Sequence, residues 1–72
     1  MSGMNALPLA AGETVVLRFA FPGVVMETGD SIFIAAGTRV RLDSVDPAGR
    51  LAVAFDPVTG AEILTRPEYL AR

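Results

Sequence analysis

Two groups of side chains in this sequence could do chemistry: carboxylates in a turn, and arginines spaced along a strand. Glu27 and Asp30 share the turn Glu27-Thr28-Gly29-Asp30. A carboxylate pair can hold a cation or pass a proton, but a calcium loop needs more oxygens than two side chains supply. An Asp that begins or ends a turn is also explained by bonding to nearby backbone. Arg39 and Arg41 alternate, so a strand places them on one face, with Arg50 expected near them across a hairpin. The guanidinium fork suits phosphate or carboxylate, which makes this stripe the candidate anion site. The same face carries Asp43, which favours a surface ion pair.

A third group is apolar. Val24-Val25-Met26 lies between Pro22-Gly23 and Gly29, where a loop would expose it, and the flexible thioether of Met26 suits an irregular partner. The candidate binding residues are thus Val24, Val25, Met26, Glu27, Asp30, Arg39, Arg41 and Tyr69. What is missing constrains the chemistry further. The chain has no Cys and no His, so it lacks the commonest general base and the commonest zinc ligands. Ser2, Ser31 and Ser44 have no imidazole partner, and neither a Gly-x-Ser-x-Gly elbow nor a glycine-rich phosphate loop occurs. No catalytic residue, metal or cofactor is assigned.

These side chains must be positioned by a single small domain, since the chain has 72 residues. Apolar residues make up 51% of it, and the mean hydropathy is +0.47. So small an interior requires the apolar surplus to sit in a dense core, an exposed patch or a subunit interface, and of these an interface within a homodimer or higher homo-oligomer is the expectation. Net charge is −2, with arginine the only basic residue, which does not suit nucleic acid. No apolar run is long enough to span a membrane, and the N-terminus has no basic region and is interrupted by Pro8. A cytoplasmic protein is the expectation.

Residues 1–12 have no periodicity and read as a flexible lead-in, with Leu7 and Leu9 free to tuck onto the core, and residues 13–72 as the folded domain. Alternation over 13–21 predicts a strand with Val15, Leu17, Phe19 and Phe21 facing in. A second apolar run is expected over 24–26, a strand over 31–35, and a third strand over 38–45 with Val40 and Leu42 facing in and a bulge near Ser44. Asp46-Pro47-Ala48-Gly49 and Asp56-Pro57-Val58-Thr59-Gly60 are hairpin turns. Between them, Leu51, Val53 and Phe55 are expected to face in and Ala52 and Ala54 out. All four phenylalanines, Phe33 included, are assigned to the core. A last strand covers 61–66, and Pro67-Glu68-Tyr69-Leu70 fits one helical turn with proline in its first position. The predicted class is all-β, a small five-stranded barrel.

The Gly29-Asp30 turn, the meander from Thr38 to Arg66 and the terminal Pro67-Glu68-Tyr69-Leu70 turn resemble the SH3-like small barrels. That resemblance implies a long first loop and a 3₁₀ turn before a short last strand. Proline-peptide binding does not follow from it, because there is no tryptophan and Tyr69 is the only tyrosine. Ala61-Glu62-Ile63-Leu64 is also similar to the Val-Gln-Ile-Tyr segment of the plasmid-type dihydrofolate reductases. Glu and Leu replace the two polar groups that would bind cofactor and substrate, so that likeness implies association through the last strands rather than the activity. The expected function is a non-enzymatic binding or assembly module working by protein–protein interaction: a subunit, an adaptor, or a phage-type inhibitor of a larger machine. The alternatives are binding of an anionic ligand or nucleic acid by the Arg39/Arg41 face, and an enzyme whose Glu27, Asp30, Glu62 or Tyr69 meet between subunits.

Overall fold

A computed structural model describes residues 9–20 and 22–72. Seven strands form one antiparallel sheet: β1 (Thr14–Leu17), β2 (Gly23–Val25), β3 (Ser31–Ile32), β4 (Arg39–Val45), β5 (Ala52–Asp56), β6 (Ala61–Thr65) and β7 (Leu70–Ala71). Their order is β3-β2-β6-β5-β4-β1-β7, and the two end strands do not pair with each other, so the sheet is open. The protein is all-β, as expected. Five strands become seven because β2 pairs with both β3 and β6, and because the chain returns after the 3₁₀ turn Pro67–Tyr69 to lay β7 against β1.

The centre is the meander β4–β5–β6. Its first connection is closed by the Gly49 amide donating to the Asp46 carbonyl at 2.7 Å, with the Asp46 carboxylate accepting from the Ala48 amide at 3.3 Å. In the second, Asp56 is almost wholly buried, yet its carboxylate accepts from the Val58 amide at 3.1 Å and the Thr59 hydroxyl at 2.7 Å. Its carbonyl accepts from Gly60, whose φ of +76° only glycine adopts without strain. The expected bulge is present as a register shift between Leu42 and Ser44.

The core is Val15, Leu17, Ile34, Val40, Leu42, Ala52, Ala54, Ile63 and Leu70, with Leu9, Ile32, Val45 and Ala61 against it. Leu9 therefore does tuck in; Leu7, Phe21 and most of the lead-in lie outside the described residues. Other expectations about facing are overturned. Strand β5 presents Ala52 and Ala54 to the core and Leu51, Val53 and Phe55 to the opposite face, the reverse of the reading by size. Ala54 lies between Leu42 and Ile63, its partners on β4 and β6, both fully buried. Those two large side chains fill the space above β5 and leave room there only for methyl groups.

Two phenylalanines assigned to the core are also outside. The backbone bends after Leu17, so the alternation that would bury Phe19 stops, and Phe19 is half exposed. Strand β3 is two residues long, and the inward position after it belongs to Ile34, which leaves Phe33 64% exposed.

Candidate functional site

Cross-strand partners in an antiparallel sheet point to the same face, so the register builds the outer surface row by row. Val24 pairs with Leu64, and Leu64 with Val53, giving an apolar row across β2, β6 and β5. On one side of it lies the row of Glu62, Phe55 and Arg41. On the other side lie Leu51 and Arg66, one alternation further along β5 and β6; Arg66 keeps extended dihedrals of −124° and 144°. Val24, Leu64, Val53 and Phe55 are half-buried and Leu51 is 44% exposed. The solvent face of an antiparallel sheet is ordinarily polar. Here it is largely apolar.

The Arg66 end of this face opens into a groove of about 340 Å³, floored by Val24, Leu51 and Leu64 and walled by Pro22, Arg66 and Tyr69. Strand β2 comes very close to β6 at this point. A Cβ on Gly23 would sit 1.9 Å from the Leu64 carbonyl oxygen, so only glycine fits. The Thr65 hydroxyl fixes the same junction from the core side by donating to the Pro22 carbonyl at 2.6 Å. Tyr69 is held by the 3₁₀ turn, which starts at Pro67, and packs edge-on against Phe19 with ring centroids 5.4 Å apart. The Arg18 guanidinium lies 5.7 Å from the Phe19 ring and donates to the Glu68 carbonyl at 3.1 Å. A second open region of about 490 Å³, sharing Leu51 and Arg66, adds Asp46, Arg50 and Glu68.

At the opposite end the face is charged. Arg41 lies over the Phe55 ring at 4.8 Å and donates to Asp43 at 3.0 Å. The Asp43 carboxyl is held below its ordinary value by its hydrogen bond with Glu62 and by Arg41, while Glu62 is pushed up by the same carboxylate. A proton taken up by the pair is therefore held by Glu62 in preference to Asp43.

The structure divides the sequence-derived candidates among three places. Val24 and Tyr69 meet in the groove. Val25, Met26, Glu27 and Asp30 belong to the β2–β3 hairpin, closed by hydrogen bonds from Val25 N to Asp30 O and from Gly29 N to Val25 O. The Asp30 amide donates to the Thr28 hydroxyl at 3.2 Å, ordinary turn chemistry, and Met26 is half exposed. Arg39 and Arg41 are exposed on β4. Arg50 is not beside them: Phe55 is the residue opposite Arg41, and Arg50 sits at the first hairpin turn, 3.9 Å from Asp46. Leu51, Leu64 and Phe19 were missed. For Leu51 the signal was the alternation of small and large residues along β5, read with the wrong sign.

Among the described residues, no group of three or more carboxylates is placed to hold a metal ion, and no helix is long and apolar enough to cross a membrane. No family model, characterised protein or solved structure matches the chain.

Proposed function

We propose that the chain is a non-enzymatic protein-binding module whose contact surface is the outer face of β2, β6 and β5 with the groove beside Tyr69. The observation that carries this is the row Val24–Leu64–Val53, extended by exposed Leu51, on a face that water would otherwise cover. Contiguous apolar surface of this kind marks an interaction site. The surrounding Tyr69, Phe19 and arginines are residue types enriched where proteins bind one another. We also read the overall plan as SH3-like, from the meander, the 3₁₀ turn and the return of β7 to β1. Arg41 is already engaged by Asp43 and Phe55, which weighs against an anion site there.

The test is capture of partner chains, this chain itself included, from an extract of the source cells. Leu51→Asp should reduce capture at least ~10-fold with an unchanged far-ultraviolet spectrum, because it puts a charge into a desolvated contact. Arg39→Ala with Arg41→Ala should leave capture intact. The reverse pattern, with steep loss of binding in salt, would move the site to the arginine face.

A further inference from the structure

The charges around the apolar row have a symmetry that selects an occupant. Along β6 and the extended residue that follows it the outward positions are Glu62, Leu64 and Arg66: an acid, an apolar centre and a base. Each charge lies about 7 Å from Leu64 along the strand. Along β5 the outward positions are Val53 and Phe55, and Leu51 just before the strand continues them, apolar throughout. Consider a second copy stacked on this face and turned by 180° about a line running across the strands over Leu64. Strand β6 then lies antiparallel over β6, and β5 over β5. Leu64 and Val53 meet themselves, and Phe55 meets Leu51. Glu62 meets Arg66 twice, once on each side of the axis.

We propose that the face formed by β5 and β6 is a self-complementary interface, and that its occupant is a second copy of this chain stacked about that two-fold axis. The proposal rests on the protein-binding reading above and names its partner. Two sheets pack face to face about 10 Å apart, a separation that side chains of this size fill from both sides. Two-fold association through one self-complementary patch is the commonest arrangement of soluble oligomers. The charges of the single chain agree with it. Within the single chain Glu62 hydrogen-bonds to Asp43 and, among the described residues, makes no salt bridge, the nearby Arg41 pairing with Asp43 instead. Arg66 reaches only Glu68, at 3.9 Å, with both side chains more than half exposed. Stacking sets each of them against an opposite charge across the interface. A pair lying parallel, turned instead about a line along β6, would set Glu62 against Glu62 and Arg66 against Arg66, and like charges across an interface are disfavoured.

Charge exchange tests the axis directly, on two exposed residues. Light scattering coupled to gel filtration should show the purified chain as a dimer. Glu62→Arg alone and Arg66→Glu alone should each weaken the dimer by ~100-fold, since each places like charges opposite one another twice. An equimolar mixture of those two variants should recover a heterodimer, because every facing pair is then opposite in sign. A wild-type dimer indifferent to both exchanges, or a mixture that stays monomeric, would overturn the two-fold. A monomeric wild type would overturn it as well. If capture from extract still depended on Leu51 in that case, the protein-binding reading would stand with a different partner. If capture failed too, both would fall.

Discussion

The guanidinium of Arg41 lies over the Phe55 ring on the outer sheet, 4.8 Å from its centre, while its Nε donates to Asp43 at 3.0 Å. The arginine is therefore part of the covering of β5 rather than a projecting anion hook. Its side chain is still 56% exposed, so the energy at stake is small. Arg41→Ala should cost about 0.5–1 kcal/mol. A double-mutant cycle with Phe55→Leu, followed by urea unfolding, should give a coupling of about 0.5 kcal/mol. Zero coupling would mean that the stacking adds nothing.

The facing of β5 makes a sharper prediction. Ala54 is fully buried between Leu42 and Ile63, whereas Leu51 is nearly half exposed. Ala54→Leu should therefore destabilise by about 1–3 kcal/mol through overpacking. Leu51→Ala should fall within about 0.5 kcal/mol of wild type in the monomer. Thermal unfolding of the two variants decides between this arrangement and the opposite one, in which their order would reverse.

Gly23 is the residue that lets β2 join the sheet. Gly23→Ala would drive a methyl group into the Leu64 carbonyl, so β2 must shift away or detach. The expected loss is about 2 kcal/mol or more. Hydrogen exchange gives the local readout: the Met26 amide, which donates to the Glu62 carbonyl at 2.9 Å, should lose protection while the β4–β5 amides keep theirs. Uniform loss across the sheet would contradict a local role.

Acid should act on three carboxyls in two directions. Glu13 is held below its ordinary value of 4.5 by the Arg72 guanidinium, and Asp43 below 3.8 by its hydrogen bond with Glu62 and by Arg41. A depressed carboxyl adds stability that is present above its unfolded value and lost as the pH falls through its folded one. Glu62 is raised above 4.5 by Asp43, so its contribution is present in acid and lost as the pH rises through its folded value. Urea midpoints measured from about pH 7 down to about pH 3 should therefore show a shallower acid decline in Glu13→Gln than in wild type. Glu62→Gln should gain relative to wild type above pH 4.5, where the repulsion of Asp43 is removed. An unchanged acid limb in Glu13→Gln would contradict the Arg72 contact.

The parts of this fold that could be read from the sequence are those fixed by local stereochemistry. Asp-Pro starts and glycine ends located both hairpins, the bulge near Ser44 followed from the parity of Val45, and Pro67 announced the 3₁₀ turn. The facing of β5 was not legible in the same way. Its alternation was plain, but which side is inside depends on how much space Leu42 and Ile63 leave, and that is a property of neighbouring strands. Phe19 misled for a related reason: periodicity cannot show that a strand ends at Leu17 when apolar residues continue beyond it. Of the candidate site, Val24 and Tyr69 were found, while Leu51 was hidden by its assignment to a core it does not enter and Leu64, on the same strand parity as Glu62 and Arg66, was not singled out.

The clasp between β1 and β7 governs the order in which the sheet can assemble. Its side-chain seal joins Arg72 to Glu13 across 59 residues, and Arg18 reaches Glu68 across 50. The hairpins of the meander close over loops of a few residues, at little entropic cost, whereas the clasp must wait for nearly the whole chain to be drawn together. The meander is thus the part that can form early. The pairing of β7 with β1 belongs to the contacts that form only after the chain has been drawn together over most of its length.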